Sequence, residues 1–108
     1  MAIGFPASFK RQLKFTSSRE NARTAIVYAL EKLGWDFEAL GPDSYQAATS
    51  LSVASVGEDI SVSIFDADTI VIESSCHFFQ IFDWGKNKRN VSQVIEGLAS
   101  RLIGIKEI

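Results

Sequence analysis

The sequence predicts an α+β domain, an antiparallel sheet with two helices on one face, and three observations carry that prediction. Runs in which apolar and polar residues alternate recur along the chain, the period of a strand with one buried side. Two longer stretches carry apolar residues every three or four positions, the period of an amphipathic helix. The turns between successive strands are short, so neighbours pair antiparallel rather than through long crossovers.

The first alternating run is Phe9-Lys10-Arg11-Gln12-Leu13-Lys14-Phe15, with Phe9, Leu13 and Phe15 on one side and Lys10, Gln12 and Lys14 on the other. Ser17, followed three residues on by Glu20, then matches a capping box, in which hydroxyl and carboxylate each satisfy an orphaned backbone N–H. Ala22, Ile26, Ala29, Leu30 and Leu33 line one helical face, and Gly34 follows where a left-handed cap belongs. The first helix is therefore predicted over residues 18–33.

Trp35-Asp36-Phe37-Glu38 alternates again, Gly41-Pro42-Asp43 is a turn signal, and a strand over residues 45–53 keeps Tyr45, Ala47, Thr49, Leu51 and Val53 on one side. Val56-Gly57-Glu58-Asp59 reads as a further turn. Ile60-Ser61-Val62-Ser63-Ile64 is the cleanest alternation in the chain, and Asp66-Ala67-Asp68 joins it to Thr69-Ile70-Val71-Ile72-Glu73-Ser74 as a hairpin. Val91, Val94, Ile95, Leu98 and Leu102 then mark a second helix that ends near Gly104. Gly97 inside it costs about 1 kcal/mol relative to Ala.

The predicted order is strand, helix, four strands, helix: a five-strand antiparallel sheet in order β-α-β-β-β-β-α. Its apolar face must be covered by both helices, since nothing else is there to cover it. This order resembles the TATA-binding-protein-like arrangement of a curved sheet with two helices on one side, with a small helix-grip fold as the near alternative. The comparison concerns architecture and implies no function.

At 108 residues, 46% of them hydrophobic, the chain has the size and composition of one domain able to bury a core without metal or disulfide support. Residues 1–108 are read as that single domain, with residues 1–8 as a candidate disordered lead. The formal net charge of −2 offers no global field for a polyanion, so nucleic acid is disfavoured as a partner and would need a local basic patch. Cys76 is the one cysteine, which excludes an internal disulfide and any CxxC site. No apolar run approaches the roughly 20 residues that span a bilayer, and the N-terminus lacks the features of a secretory signal. The cytoplasm is the expected compartment.

One stretch does not read as scaffold. Residues 75–90 hold three phenylalanines, Trp84 and the only histidine, His77. Lys86, Lys88 and Arg89 fall at the start of the second helix, where the macrodipole disfavours cations by roughly 0.3–1 kcal/mol each. One reading places an anion there, held by backbone N–H groups, the three basic side chains and the amides of Asn87 and Asn90. The other starts the helix at Asn87 or Asn90 as N-cap, turns the cations to solvent and lets Asp83 offset part of their charge. Trp84 is either a stacking surface for a ligand or partner, or a plug at the end of the core.

Reactive arrangements are weaker. Cys76 and His77 would suit a thiol–imidazole pair, but neighbours on a strand point to opposite faces. Asp66 with Asp68, and Glu58 with Asp59, lack the further ligands that a hard cation needs, and turn chemistry accounts for them. The sequence contains no Gly-rich phosphate loop, GxSxG elbow or HExxH. It implies no cofactor and no metal.

The segment Asp83-Trp84-Gly85-Lys86-Asn87-Lys88-Arg89-Asn90-Val91, after Ser74-Ser75-Cys76 and the Gly57-Glu58 turn, resembles the D-W-G-K-N-K-x-N motif of a small uncharacterised bacterial domain family. The likeness covers roughly residues 15–102. It implies a self-contained domain, found alone or attached to larger membrane proteins, and supplies no catalytic residues.

The sequence thus points to a non-enzymatic binding or accessory module. Trp84, Lys86, Asn87, Lys88, Arg89 and Asn90 would contact an anionic ligand, a protein partner or a membrane surface. The alternative is a small enzyme or ligand-binding domain that uses a cavity between sheet and helices. Oligomeric state is not legible.

Overall fold

The computed structural model describes residues 8–49, 58–76, 86–102 and 104–108, with only the backbone described at Cys76 and Lys86. The elements are β1 (Ser8–Lys14), α1 (Arg19–Leu33), β2 (Asp36–Gly41), β3 (Ser44–Ala48), β4 (Glu58–Phe65), β5 (Thr69–Cys76), α2 (Lys86–Ala99) and β6 (Lys106–Glu107). They form an α+β fold around one six-stranded sheet of order β2-β3-β4-β5-β1-β6, every described pairing antiparallel. Among the described residues the sheet has six strands, where the sequence predicts five. The sixth is two residues long, too short to show a period, and it pairs Leu13 with Glu107 and Lys14 with Lys106.

The inner face of the sheet follows from alternation. Leu13, Ile60, Val62, Ile64, Ile70, Ile72, Tyr45 and Ala47 are all buried and lie in register across neighbouring strands. Both helices lie over that face: α1 contributes Ala22, Ala25, Ile26, Ala29 and Leu30, and α2 contributes Val91, Val94 and Leu98. The helices touch at Gly97, where a Cβ would stand 2.7 Å from the Cβ of Ala29. The glycine that weakens α2 as an isolated helix is what lets it approach α1 so closely.

Local chemistry sets the boundaries with some corrections. The N-cap of α1 is Ser18, one residue later than the Ser17–Glu20 box predicts; its Oγ accepts from the Asn21 N–H at 3.1 Å. Gly34 takes the left-handed conformation, φ 74°, as expected. Glu58 and Asp59 belong to β4 rather than to a turn, because their N-terminal strand end pairs with Ser75 and Cys76. β3 ends at Ala48, and the predicted continuation through residues 50–53 lies outside the described residues. Asn87 and Asn90 sit inside α2, so neither is its N-cap. Ser8 already belongs to β1; the remainder of the predicted disordered lead, and the Val56-Gly57 part of the predicted turn, lie outside the described residues. Among the described residues no helix is long and apolar enough to cross a membrane.

Candidate functional site

The first turns of α2 stand on the inner face of the sheet where β4 begins and β5 ends. Asn87 and Asn90 are three residues apart, so they share one side of the helix with Val91 and Val94. Asn87 is 0% exposed and Asn90 7%. Beneath them, period two places Glu58 on the same side of β4 as Ile60, and Ser74 on the same side of β5 as Ile72. Glu58 is 2% exposed and Ser74 fully buried.

These four side chains and Thr49 form one hydrogen-bonded network. The Asn90 amide Nδ2 donates to Glu58 Oε1 at 3.0 Å and to Ser74 Oγ at 3.2 Å. Ser74 Oγ donates onward to Asn87 Oδ1 at 2.7 Å. Thr49 Oγ1 donates to the same Glu58 oxygen at 3.1 Å and accepts from the Glu58 N–H at 2.8 Å, while the Thr49 N–H donates to the Glu58 carbonyl at 3.0 Å. Among the described residues no buried side-chain polar atom is left without a partner. Such completeness matters, because a buried donor or acceptor without a partner costs about 1–3 kcal/mol.

The predicted site residues therefore divide by direction. Asn87 and Asn90 turn inward and bind the scaffold. Lys88 and Arg89 are exposed on the opposite side of the same turn. Lys86 is the first residue of α2, and Trp84 and Asp83 lie outside the described residues. No acidic residue occurs in the first turn of α2. Its acidic neighbour comes instead from another element, as Glu58 reaches up from β4 to Asn90.

Glu58 is the residue that sequence reasoning misplaced, and Ser74 the one it passed over as ordinary strand. A signal was present for both. Glu58 continues the inward parity of Ile60, Val62 and Ile64, Ser74 that of Ile70 and Ile72, and Asn87 and Asn90 continue the helical stripe of Val91, Val94 and Leu98. Polar residues that extend an apolar face are candidates for a buried network rather than for a turn or a cap.

Chemically the network holds rather than reacts. Ser74 donates to an amide oxygen, which is not a base and cannot take its proton, so the hydroxyl is not activated as a nucleophile. Of the thiol–imidazole pair, the Cys76 side chain and the whole of His77 lie outside the described residues. Asp66 takes a positive φ of 57° in the β4–β5 turn, and Asp68 bonds Thr69 and Lys14. Both acids serve the turn. Among the described residues no group of three or more His, Cys, Asp or Glu side chains is placed to hold a metal. The described space between helices and sheet is filled by Ile26, Leu30, Ile60, Ile72, Val94 and Leu98, all without exposed surface.

At the other end of the sheet the polar contacts are exposed or half-exposed. Arg19 and Arg23 of α1 both clasp Asp43 in the β2–β3 turn, Arg23 Nε reaching it at 2.9 Å. Partial burial pushes the Asp43 carboxyl up, but the hydrogen bonds and charges of Arg23 and Arg19 outweigh it and hold the group below its ordinary range. Bonds from Thr69 and Lys14 lower Asp68 in the same way. No protein-family model matches the chain, and no curated protein matches it in sequence.

Proposed function

We propose that the protein is a non-enzymatic binding or accessory module that presents the start of α2, Lys86, Lys88 and Arg89 with the adjoining Trp84, to an anionic ligand or surface. One observation carries the reading. The inner side of this turn is fixed by buried bonds from Asn87 and Asn90, while Lys88 and Arg89 stand exposed on its outer side. A cationic surface on a rigid turn binds anions with little loss of side-chain anchoring. The asparagines act here as the foundation of the surface and not as its ligands. We read the architecture as TATA-binding-protein-like with one added edge strand, and the motif around Trp84 as that of the bacterial domain family it resembles.

The test is binding of the protein to vesicles with and without anionic lipid and to phosphate-bearing small molecules, for wild type and Lys86→Ala/Lys88→Ala/Arg89→Ala. Each basic residue near an anionic membrane is worth about 1 kcal/mol, so the triple variant should lose roughly two orders of magnitude in affinity. Unchanged binding would remove the reading. Steeply salt-dependent binding of oligonucleotides in preference to both would redirect it to nucleic acid.

A further inference from the structure

The sheet has a second face, and among the described residues nothing packs on it. Alternation places Lys10, Gln12 and Lys14 of β1, Lys106 of β6, Glu73 of β5, Ser61 and Ser63 of β4, Gln46 of β3 and Asp36 and Glu38 of β2 there. Its charge is sorted by position. The β1–β6 margin presents Lys10, Lys14 and Lys106, the β2 margin presents Asp36 and Glu38, and all five are exposed. The large exposed apolar residues Leu40, Phe65 and Ile108 lie on or beside the same face: Leu40 at the bulge of β2, Phe65 at the end of β4, and Ile108 just after β6.

We propose that this face is the contact surface of a symmetric homodimer, whose two-fold axis runs along the strands between β4 and β5. Three strands lie on each side of that line. Rotation about it lays β6 of one copy over β2 of the other and β1 over β3. The row that runs from Lys10 through Glu73, Ser61 and Gln46 to Glu38 then brings Lys10 of each copy beside Glu38 of the other, so that a basic residue meets an acidic one twice. An axis across the strands would stack acid on acid. The chosen operator also preserves position along the strands. Ile108 donates its N–H to the Gln12 carbonyl. The register carries that row from Gln12 through Val71, Ser63 and Ser44 to Gly41. Ile108 of one copy therefore arrives beside Leu40 of the other. Phe65, on a strand that borders the axis, arrives beside its own counterpart. One rotation matches both charge and apolar surface, as an isologous interface requires.

Strands about 4.8 Å apart and about 3.3 Å per residue give this face on the order of 500 Å² per copy, at the small end of specific interfaces. The dimer is therefore a weak one, micromolar in dissociation constant, and salt-sensitive.

Sedimentation of the wild-type chain over a range reaching high micromolar concentration tests it, together with two charge-reversed variants. Lys10→Glu sets acid against acid at the Lys10–Glu38 contact, and Glu38→Lys sets base against base. Each alone should self-associate at least about tenfold more weakly than wild type, and the two mixed should form a heterodimer, since every reversed pair is then complementary again. Lys10 faces Glu73 within its own sheet. Reversal there also strains the subunit, but mixing cannot relieve strain inside a subunit, so recovery on mixing isolates the intermolecular contact. Phe65→Glu should abolish association and resist rescue. A wild type that stays monomeric throughout, variants that associate like wild type, or a mixture that remains monomeric would each overturn the proposal.

Discussion

The two ends of the sheet are tied to its helices by polar contacts of opposite kinds. Where β4 begins and β5 ends, the buried side chains of Glu58, Ser74, Asn87 and Asn90 bond to one another and anchor α2. At the β2–β3 turn, Asp43 grips Arg19 and Arg23 of α1 in contact with solvent. The bonds have similar lengths, yet they differ in what their loss would leave behind. A broken exposed pair is rehydrated, whereas a broken buried one strands a polar group in the core. The buried end is also the one that fixes the turn on whose outer side Lys88 and Arg89 stand exposed.

Glu58→Ala should be the most damaging change. It removes the acceptor shared by Thr49 and Asn90 and opens space in the core, and we expect about 3 kcal/mol of lost stability in denaturant titration. A loss under about 1 kcal/mol would mean that the buried end is no more demanding than the exposed one.

Ser74→Ala comes next, at roughly 1–2 kcal/mol, since Asn87 Oδ1 loses its donor while the helix contacts persist. The double variant Ser74→Ala/Asn87→Leu should recover part of that loss, because the Asn87 oxygen that lost the Ser74 hydroxyl is gone, while Asn90 Nδ2 keeps Glu58 as acceptor. Strict additivity of the two single changes in a double-mutant cycle would contradict direct coupling.

The exposed end should respond least, and chiefly to pH. Asp43 and Asp68 are held below the ordinary carboxyl value of 3.8 in the folded chain. Their contribution to stability is therefore complete above that value and is lost as acid titrates them through their lowered folded values. Asp43→Asn/Asp68→Asn should flatten the acid limb of the stability curve below about pH 4 and change little at neutral pH. An undiminished acid limb would locate the acid sensitivity elsewhere.

How far this contrast was legible in the sequence depended on period. Ile60 to Ile64 and the stripe from Ala22 to Leu33 are continuous enough to declare a strand and a helix without ambiguity, and Gly34 closes the helix as its position implies. β6 could not be read, because two exposed residues carry no period and owe their strand geometry to β1. The buried network was hidden for a different reason. A polar residue beside a presumed turn looks solvated, and only strand register shows that Glu58 and Ser74 lie under Asn87 and Asn90. The basic cluster was visible at once, but its separation into outward cations and inward amides required the phase of the helix, fixed by Val91 and Val94.

The position of β1 in the sheet has a consequence for how the protein is made. Although it is translated early, its hydrogen-bonding neighbours are β5 and β6, so Lys14 waits for Thr69 and Ser8 for Ser75. A nascent chain can close the β2–β3 hairpin and extend it to β4 while β1 and α1 still lack their final neighbours. The last contacts to form are those of highest sequence separation, which predicts folding slower than that of a helical domain of this length. It also predicts a nascent chain with an unpaired β1, and with Leu13 and Phe15 uncovered, until β5 has left the ribosome, and hence an early demand for chaperone shelter.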